Sequence, residues 1–182
     1  MRIISGKYKG KRLFAPKKLP VRPTTDMAKE GLFNILNNRY DFEKISVLDL
    51  FSGTGNISYE FASRGCDAIT AVDSNLNCIK YISKTCHELN LPISVTKSDA
   101  FQFLERSQST YDIIFADPPY HFDNDLFIKL PDIVFKNELL KPGGIVIVEH
   151  SPQTQLDHHP EFQEKRKYGS SIFSFFQFSG IP

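Results

Sequence analysis

The residues best suited to chemistry stand together in Asp117-Pro118-Pro119-Tyr120, directly after the apolar run Ile113 to Ala116. Two prolines fix φ and remove two backbone donors, so the carbonyls of this turn are left to accept. Asp117 adds a second acceptor and Tyr120 a flat ring. Such a set suits a planar nucleobase carrying an exocyclic amine. That amine is a poor nucleophile, because its lone pair is delocalised into the ring. Acceptors from Asp117 and the Pro118 carbonyl would hold its two hydrogens and favour positive charge on nitrogen as it attacks an electrophilic carbon. This is electrostatic preorganisation, expected to supply a few kcal/mol, together with alignment of the attack. Asp117 could then take the released proton, and Tyr120 would stack on the base. Taken alone, Asp-Pro-Pro also reads as a rigid turn with Tyr120 as packing.

A second group of residues can bind a nucleoside. Asp49-Leu50-Phe51-Ser52-Gly53-Thr54-Gly55 follows one apolar run and opens a helical stretch. Glycines there let the backbone turn sharply and pass close to a ligand. The third position of a dinucleotide fingerprint is Ser58, not glycine, and no Gly-Lys-Ser/Thr is present, so phosphates are not the expected ligand. Asp73 lies 18 residues after Gly55, where a carboxylate can accept from both hydroxyls of a ribose. Asp99, in Ser98-Asp99-Ala100-Phe101, can meet an adenine amino group, with Phe101 packing on the ring. Asp49 is placed to meet an ammonium group. Singly, Asp49 could cap a turn, and Asp73 and Asp99 could be helix N-caps. Together they stand at the carboxyl ends of three successive predicted strands, the usual ligand crevice of an open α/β sheet. A ribose, an adenine and a zwitterionic tail describe S-adenosylmethionine (AdoMet).

These residues need a sheet to position them. Short apolar runs at Ile45 to Leu50, Ala68 to Val72, Ile93 to Thr96, Ile113 to Ala116 and Gly144 to Glu149 read as buried strands. Helical spacing fills the gaps at Ile57 to Arg64, Leu76 to Leu89, Ala100 to Arg106 and Leu126 to Leu140. Such alternation predicts an α/β fold with a mainly parallel sheet covered on both faces. Phe162 to Tyr168 and Ile172 to Phe178 flank Gly169-Ser170 and read as a closing antiparallel hairpin. Upstream, Thr24-Thr25-Asp26 starts a helix that ends near Asn37-Asn38. Arg2 to Phe14 reads as a short β-hairpin around Gly6 and Gly10. Pro16, Pro20 and Pro23 make the next stretch extended. The expected division is an extension over residues 1–23 and a catalytic domain over residues 24–182.

Charge is unevenly spread. Residues 1–22 hold eight Lys and Arg and no acid; the other 160 residues hold 14 basic and 21 acidic residues, net −7. A basic arm on an acidic body suggests a polyanion partner, and equally a solvated tail. Three cysteines (Cys66, Cys78 and Cys86) without a C-x-x-C pair are expected to be reduced and structural, with no metal site; the His158-His159 doublet is isolated. Glu149 and His150 are expected to be structural. No apolar run is long enough for a membrane helix, and the opening residues lack the apolar core of a secretory signal. The expected location is the cytoplasm. No coiled-coil or repeat pattern points to assembly, so a monomer is expected.

Asp49-x-Phe51-x-Gly53-x-Gly55, Asp73, Asp99 and Asp117-Pro118-Pro119-Tyr120 resemble the class I AdoMet-dependent methyltransferases that modify exocyclic amines. Arg2-Ile3-Ile4-Ser5-Gly6, then Arg22-Pro23-Thr24-Thr25-Asp26 through Glu30-Gly31-Leu32-Phe33-Asn34-Ile35-Leu36, resembles the bacterial 16S rRNA guanine-N2 methyltransferases of the RsmD type. The resemblance covers nearly the whole chain. It implies a seven-stranded Rossmann-like methyltransferase fold. Its cofactor would be AdoMet, held by Asp49, Phe51, Gly53, Gly55, Asp73, Asp99, Ala100 and Thr25. Asp117, Pro118, Pro119 and Tyr120 would be catalytic. The substrate would be an unstacked or flipped guanine of 16S rRNA in the small ribosomal subunit or its assembly intermediate. Arg2, Lys7, Lys9, Lys11, Arg12, Arg22 and Lys29 would contact the RNA. The family usually has a basic residue directly after Asp26; Met27 stands there, so Lys29 or Arg22 would have to serve. The alternatives are an adenine-N6 methyltransferase on DNA or RNA, which shares the Asp-Pro-Pro-Tyr motif, and a non-catalytic ribosome-assembly factor. A protein glutamine methylator would carry Asn before Pro-Pro-Tyr, where this chain has Asp117.

Overall fold

A computed structural model of the protein describes residues 1–16, 19 and 24–179. The pattern of short apolar runs becomes a single seven-stranded sheet. In chain order the elements are α1 (Asp26–Asn37), β1 (Ser46–Leu50), α2 (Asn56–Ser63), β2 (Ala68–Asp73), α3 (Leu76–Leu89), β3 (Ile93–Lys97), α4 (Ala100–Arg106), β4 (Tyr111–Ala116), α5 (Asn124–Lys136), β5 (Leu140–His150), β6 (Phe162–Tyr168) and β7 (Ser171–Phe176). The strand order is β3-β2-β1-β4-β5-β7-β6. β1 to β5 run parallel, while β7 is antiparallel to both β5 and β6. The expected α/β sheet with a C-terminal antiparallel hairpin is thus present.

The strands are apolar on both sides because both faces are covered. Val47, Ile113, Phe115, Ile145 and Ile147 face one core with Leu32, Phe33 and Leu36 of α1 and Phe61 of α2. Their chain neighbours Leu48, Ile114, Ala116, Val146 and Val148 face the other, with Leu104 of α4 and Phe127, Leu130 and Val134 of α5. The order reverses between β1 and β4. There two loops diverge and leave a crevice at the strands' carboxyl ends. The loops after β1, β2 and β4 therefore converge there.

Two expectations are corrected. The opening segment pairs too briefly for a regular β-hairpin: among the described residues Arg2 and Arg12 form one isolated antiparallel bridge, flanked by Ile3 N–H to the Lys11 carbonyl and Leu13 N–H to the Met1 carbonyl, both at 3.0 Å. Four amides of the intervening stretch go to α2 instead. Ile4 and Ser5 N–H donate to the Glu60 carboxylate at 2.9 and 3.0 Å, and Lys7 and Tyr8 N–H donate to Ser63 at 2.7 and 2.9 Å. The segment is a strap laid along α2, pinned by buried Ile3 and Leu13. The helix expected up to Leu140 stops at Lys136. Glu138 takes a positive φ of 53°, and Leu140 already pairs with Tyr111 in the sheet. Pro20, Arg22 and Pro23 lie outside the described residues.

Candidate active site

The turn after β1 builds the first wall of the crevice. Phe51 and Gly53 adopt positive φ of 56° and 54°. Glycine does this freely, whereas for phenylalanine it stores about 1–3 kcal/mol of strain. Gly55 (φ 81°) starts α2 with no side-chain cap of its own. The cap comes instead from the sheet: one oxygen of the Asp49 carboxylate accepts from the Ser58 N–H at 3.2 Å and the Ser58 hydroxyl at 2.5 Å. Asp49 is 2% exposed. Burial pushes its carboxyl up to about 7, with the two Ser58 bonds opposing. Asp73 ends β2 and takes one donor on each oxygen, Gly53 N–H and Asn75 N–H, both at 2.8 Å. It is not the N-cap of α3, which is Asn75. Asp73 therefore ties the β1 turn to the β2 turn and keeps carboxylate lone pairs for a ligand.

The loop after β4 builds the facing wall. The Asp117 N–H reaches back to the Leu50 carbonyl at 3.4 Å, and the Pro119 carbonyl accepts from the Phe122 N–H at 3.0 Å. Tyr120 is 45% exposed. Phe51, Phe101 and Phe122 form an aromatic cluster with centroids 5.8–6.3 Å apart.

Asp49, Phe51, Gly53 and Asp73 line one cleft of about 520 Å³ with Asp117, Pro118, Pro119 and Tyr120. The structure thus brings together eight of the twelve residues expected to bind cofactor or do chemistry. The other four do not line it. Gly55 is glycine for its φ and because a Cβ there would sit 2.7 Å from the Tyr59 ring. Asp99 caps α4 by accepting from Gln102 N–H at 3.0 Å, and Ala100 is buried behind it. Thr25 caps α1 through Ala28 N–H at 3.2 Å. Thr24, its neighbour, enters the cleft instead, and its hydroxyl donates to buried Glu149 at 2.8 Å. Asn56 also lines the cleft; its side chain donates to the Thr24 carbonyl at 3.3 Å and accepts from Lys29 at 2.8 Å.

Lys29 is corrected from an RNA contact to a buried tie. Its Nζ is fully buried, 3.2 Å from Glu60 and 2.6 Å from the Arg2 carbonyl that accepts from it. Burial pulls this ammonium below its usual pKa, with Glu60 opposing. Arg2, Lys7, Lys9, Lys11 and Arg12 are exposed along the strap, Arg2 paired with Asp26 at 3.1 Å. Arg22 lies outside the described residues. The three cysteines are free and buried, and no cluster that could hold a metal occurs among the described residues. His150 is buried, its ring held by the Ser151 carbonyl and the Ser174 hydroxyl. No described helix is long and apolar enough to cross a membrane.

A sheet of this order, with acids on the β1 and β2 turns and Asp-Pro-Pro-Tyr after β4, defines a class I AdoMet-dependent methyltransferase. The chain matches the family described as conserved hypothetical protein 95 over residues 1–177. It belongs to this RsmD-type family of methyltransferases, whose cofactor is AdoMet. The ribosomal RNA small subunit methyltransferase D of Buchnera aphidicola (subsp. Baizongia pistaciae) is 33% identical over 82% of this chain and 75% of its own. A putative methyltransferase of Escherichia coli superposes with a TM-score of 0.86 at 24% identity, covering 100% and 99% of the two chains. A Thermus thermophilus 16S rRNA N2 methyltransferase, in complex with AdoMet and guanosine, superposes at 0.69 with 22% identity over 87% of this chain and 45% of its own.

Proposed function

We propose that this methyltransferase transfers the AdoMet methyl group to the exocyclic N2 amine of a guanine in 16S rRNA of the small ribosomal subunit. The observation that carries the reading is the seating of Asp117-Pro118-Pro119-Tyr120 on the same cleft as Asp49 and Asp73. AdoMet supplies a methyl carbon made electrophilic by the attached sulfonium. Asp73 accepts from the ribose hydroxyls. Asp49, in its ionised form, faces the ammonium of the amino-acid tail, and the left-handed Phe51 and Gly53 let the backbone follow it. Asp117 and the Pro118 carbonyl accept the two N2 hydrogens; Pro119's carbonyl is already committed to the Phe122 N–H. The nitrogen lone pair is thereby turned toward the methyl carbon. The N–C bond forms as the S–C bond breaks, and the N2 proton leaves toward Asp117 or water. Tyr120 stacks on the base. The exposed cations of the strap hold the phosphate backbone, giving affinity and register while the pocket reads the base.

Support for the rRNA substrate comes from the named relatives and from the guanosine-bound neighbour. The test is methyl transfer from labelled AdoMet to small subunits purified from cells lacking the protein, with the product nucleoside identified by mass spectrometry. N2-methylguanosine at a single 16S site is expected. N6-methyladenosine would replace the guanine reading with the adenine one. Absence of transfer despite AdoMet binding would end the rRNA reading.

A further inference from the structure

We infer that the outer edge of the sheet, at the end carrying the cleft, is a second contact surface for the phosphate backbone of the substrate RNA, with Lys167 as its fixed cation and Arg166 beside it. This rests on the rRNA reading above. β6 is the edge strand. In the register, Lys167 stands opposite Ile172 and Ile172 opposite His150, while Arg166 stands opposite Phe173 and Phe173 opposite Glu149. Both cations thus sit in rows that end on the last two residues of β5, at the height where Glu149 holds Thr24 in the cleft. Strand spacing of about 4.8 Å puts this edge roughly 10 Å from β5 and roughly 14 Å from β4, which Asp117 directly follows. Alternation along a strand sends Lys167 and Arg166 to opposite faces. A backbone lying on the edge meets one cation from each side.

The neighbouring charges are already engaged. Lys165 pairs with Asp157 at 3.1 Å and Arg39 with Glu164, which also pairs with Arg166, so a phosphate must compete with Glu164 for Arg166 and Lys167 carries the larger part of the contact. Lys167 has no carboxylate partner among the described residues. Its place is fixed by the residue that follows it. The Tyr168 ring fills the notch over Gly31 of α1, where a Cβ would lie 2.2 Å from the ring. Edge strands commonly carry lysine to prevent sheet-to-sheet pairing. That explains a cation at any height of β6, and it predicts no effect on RNA. The strap and this edge flank α1 from two sides. Arg2 pairs with Asp26 at the helix start, and Tyr168 packs on Gly31. An RNA crossing the start of α1, where Thr24 enters the cleft, meets the strap on one side and the sheet edge on the other, with Arg166 on the α1 face of that edge and Lys167 on the opposite face. Outside residues 1–22 the chain is net −7, so this patch runs against the net charge of the body.

The experiment measures affinity of the full chain for small-subunit rRNA across a salt series, for the unaltered protein, Lys167→Ala, Arg166→Ala and Lys136→Ala. Lys136 ends α5, at the far end of the sheet. Lys167→Ala should weaken binding severalfold to about tenfold and make the log-affinity against log-salt slope shallower by about 0.7–0.9. AdoMet affinity, Tm and kcat at saturating RNA should stay as in the unaltered protein. Arg166→Ala should act in the same direction, and Lys136→Ala should change neither slope nor affinity. A slope for Lys167→Ala equal to that of the unaltered chain overturns the surface while leaving the guanine reading intact. Failure of the unaltered chain to bind or methylate the rRNA overturns the guanine reading, and the edge surface with it.

Discussion

The two walls of the cleft are built on different terms. On the β1–β2 side every acid is already employed: Asp49 caps α2 through Ser58, and Asp73 joins two turns through Gly53 and Asn75. These carboxylates hold the fold and face the ligand at once. On the β4 side the Asp117 N–H meets the Leu50 carbonyl at 3.4 Å, the Pro119 carbonyl closes a turn with the Phe122 N–H, and Tyr120 stands half in solvent. The cofactor wall is therefore finished before any ligand arrives. In the proposed reading, the base stacking on Tyr120 would complete the acceptor wall. Damage to the first should appear in binding and stability together, and damage to the second in turnover.

The sharpest test of that division is Asp117→Ala. Removing an acceptor that acts on developing charge is expected to lower kcat by at least about 10²-fold. AdoMet affinity, by calorimetry, should stay within about twofold. Methylation at the unaltered rate would break the acceptor assignment, and a collapse of AdoMet binding would break the division itself.

Asp73→Ala should give the opposite pattern with a smaller effect. The Gly53 and Asn75 N–H groups lose their acceptor; an unsatisfied buried donor costs about 1–3 kcal/mol, and cleft water replacing the carboxylate at these half-buried bonds keeps the loss toward the lower end. AdoMet should bind roughly 10–100-fold more weakly, Tm should fall, and kcat at saturating cofactor should change little. Loss of turnover with intact AdoMet affinity would place Asp73 on the wrong wall.

Both motifs were legible in the sequence because each is short and follows a buried strand. The turn residues, the strand and the helix that follows lie within about ten positions, so periodicity and glycine placement suffice. The residues that were missed are joined over long separations. Thr24 and Glu149 are 125 positions apart and meet through one hydrogen bond. Asn56 reads as an ordinary helix start until Lys29 and the Thr24 carbonyl close on it. Lys29 itself reads as a surface cation on an amphipathic helix; only Glu60 and the Arg2 carbonyl, brought in by the strap, explain its complete burial. The same Glu60 takes the Ile4 and Ser5 amides, which draws the segment along α2 beyond its short antiparallel pairing. Asp99 caps α4 with one carboxylate oxygen, through the Gln102 N–H. One buried pair, unreadable from local pattern, thus displaced two expectations.

Asp49 offers the finest test, because its two duties pull in opposite directions. Its carboxyl sits at about 7 against an ordinary 3.8, raised by burial. The folded chain therefore holds an extra proton between about pH 4 and 7, and this group makes the fold less stable as pH rises through that window. An ammonium ligand needs the ionised form. AdoMet affinity should accordingly weaken by up to about tenfold per pH unit below 7 and level off above it, until the cofactor's own α-amino group deprotonates near 8. Ser58→Ala removes two-proton-donor support down to the backbone N–H alone, so the acid limb should move to higher pH. Asp49→Asn should erase that limb, weaken AdoMet at pH 7.5, and leave the chain at least as stable there as the unaltered protein. An acid limb that survives Asp49→Asn would show that another group controls cofactor binding, and the prefinished wall would lose its central residue.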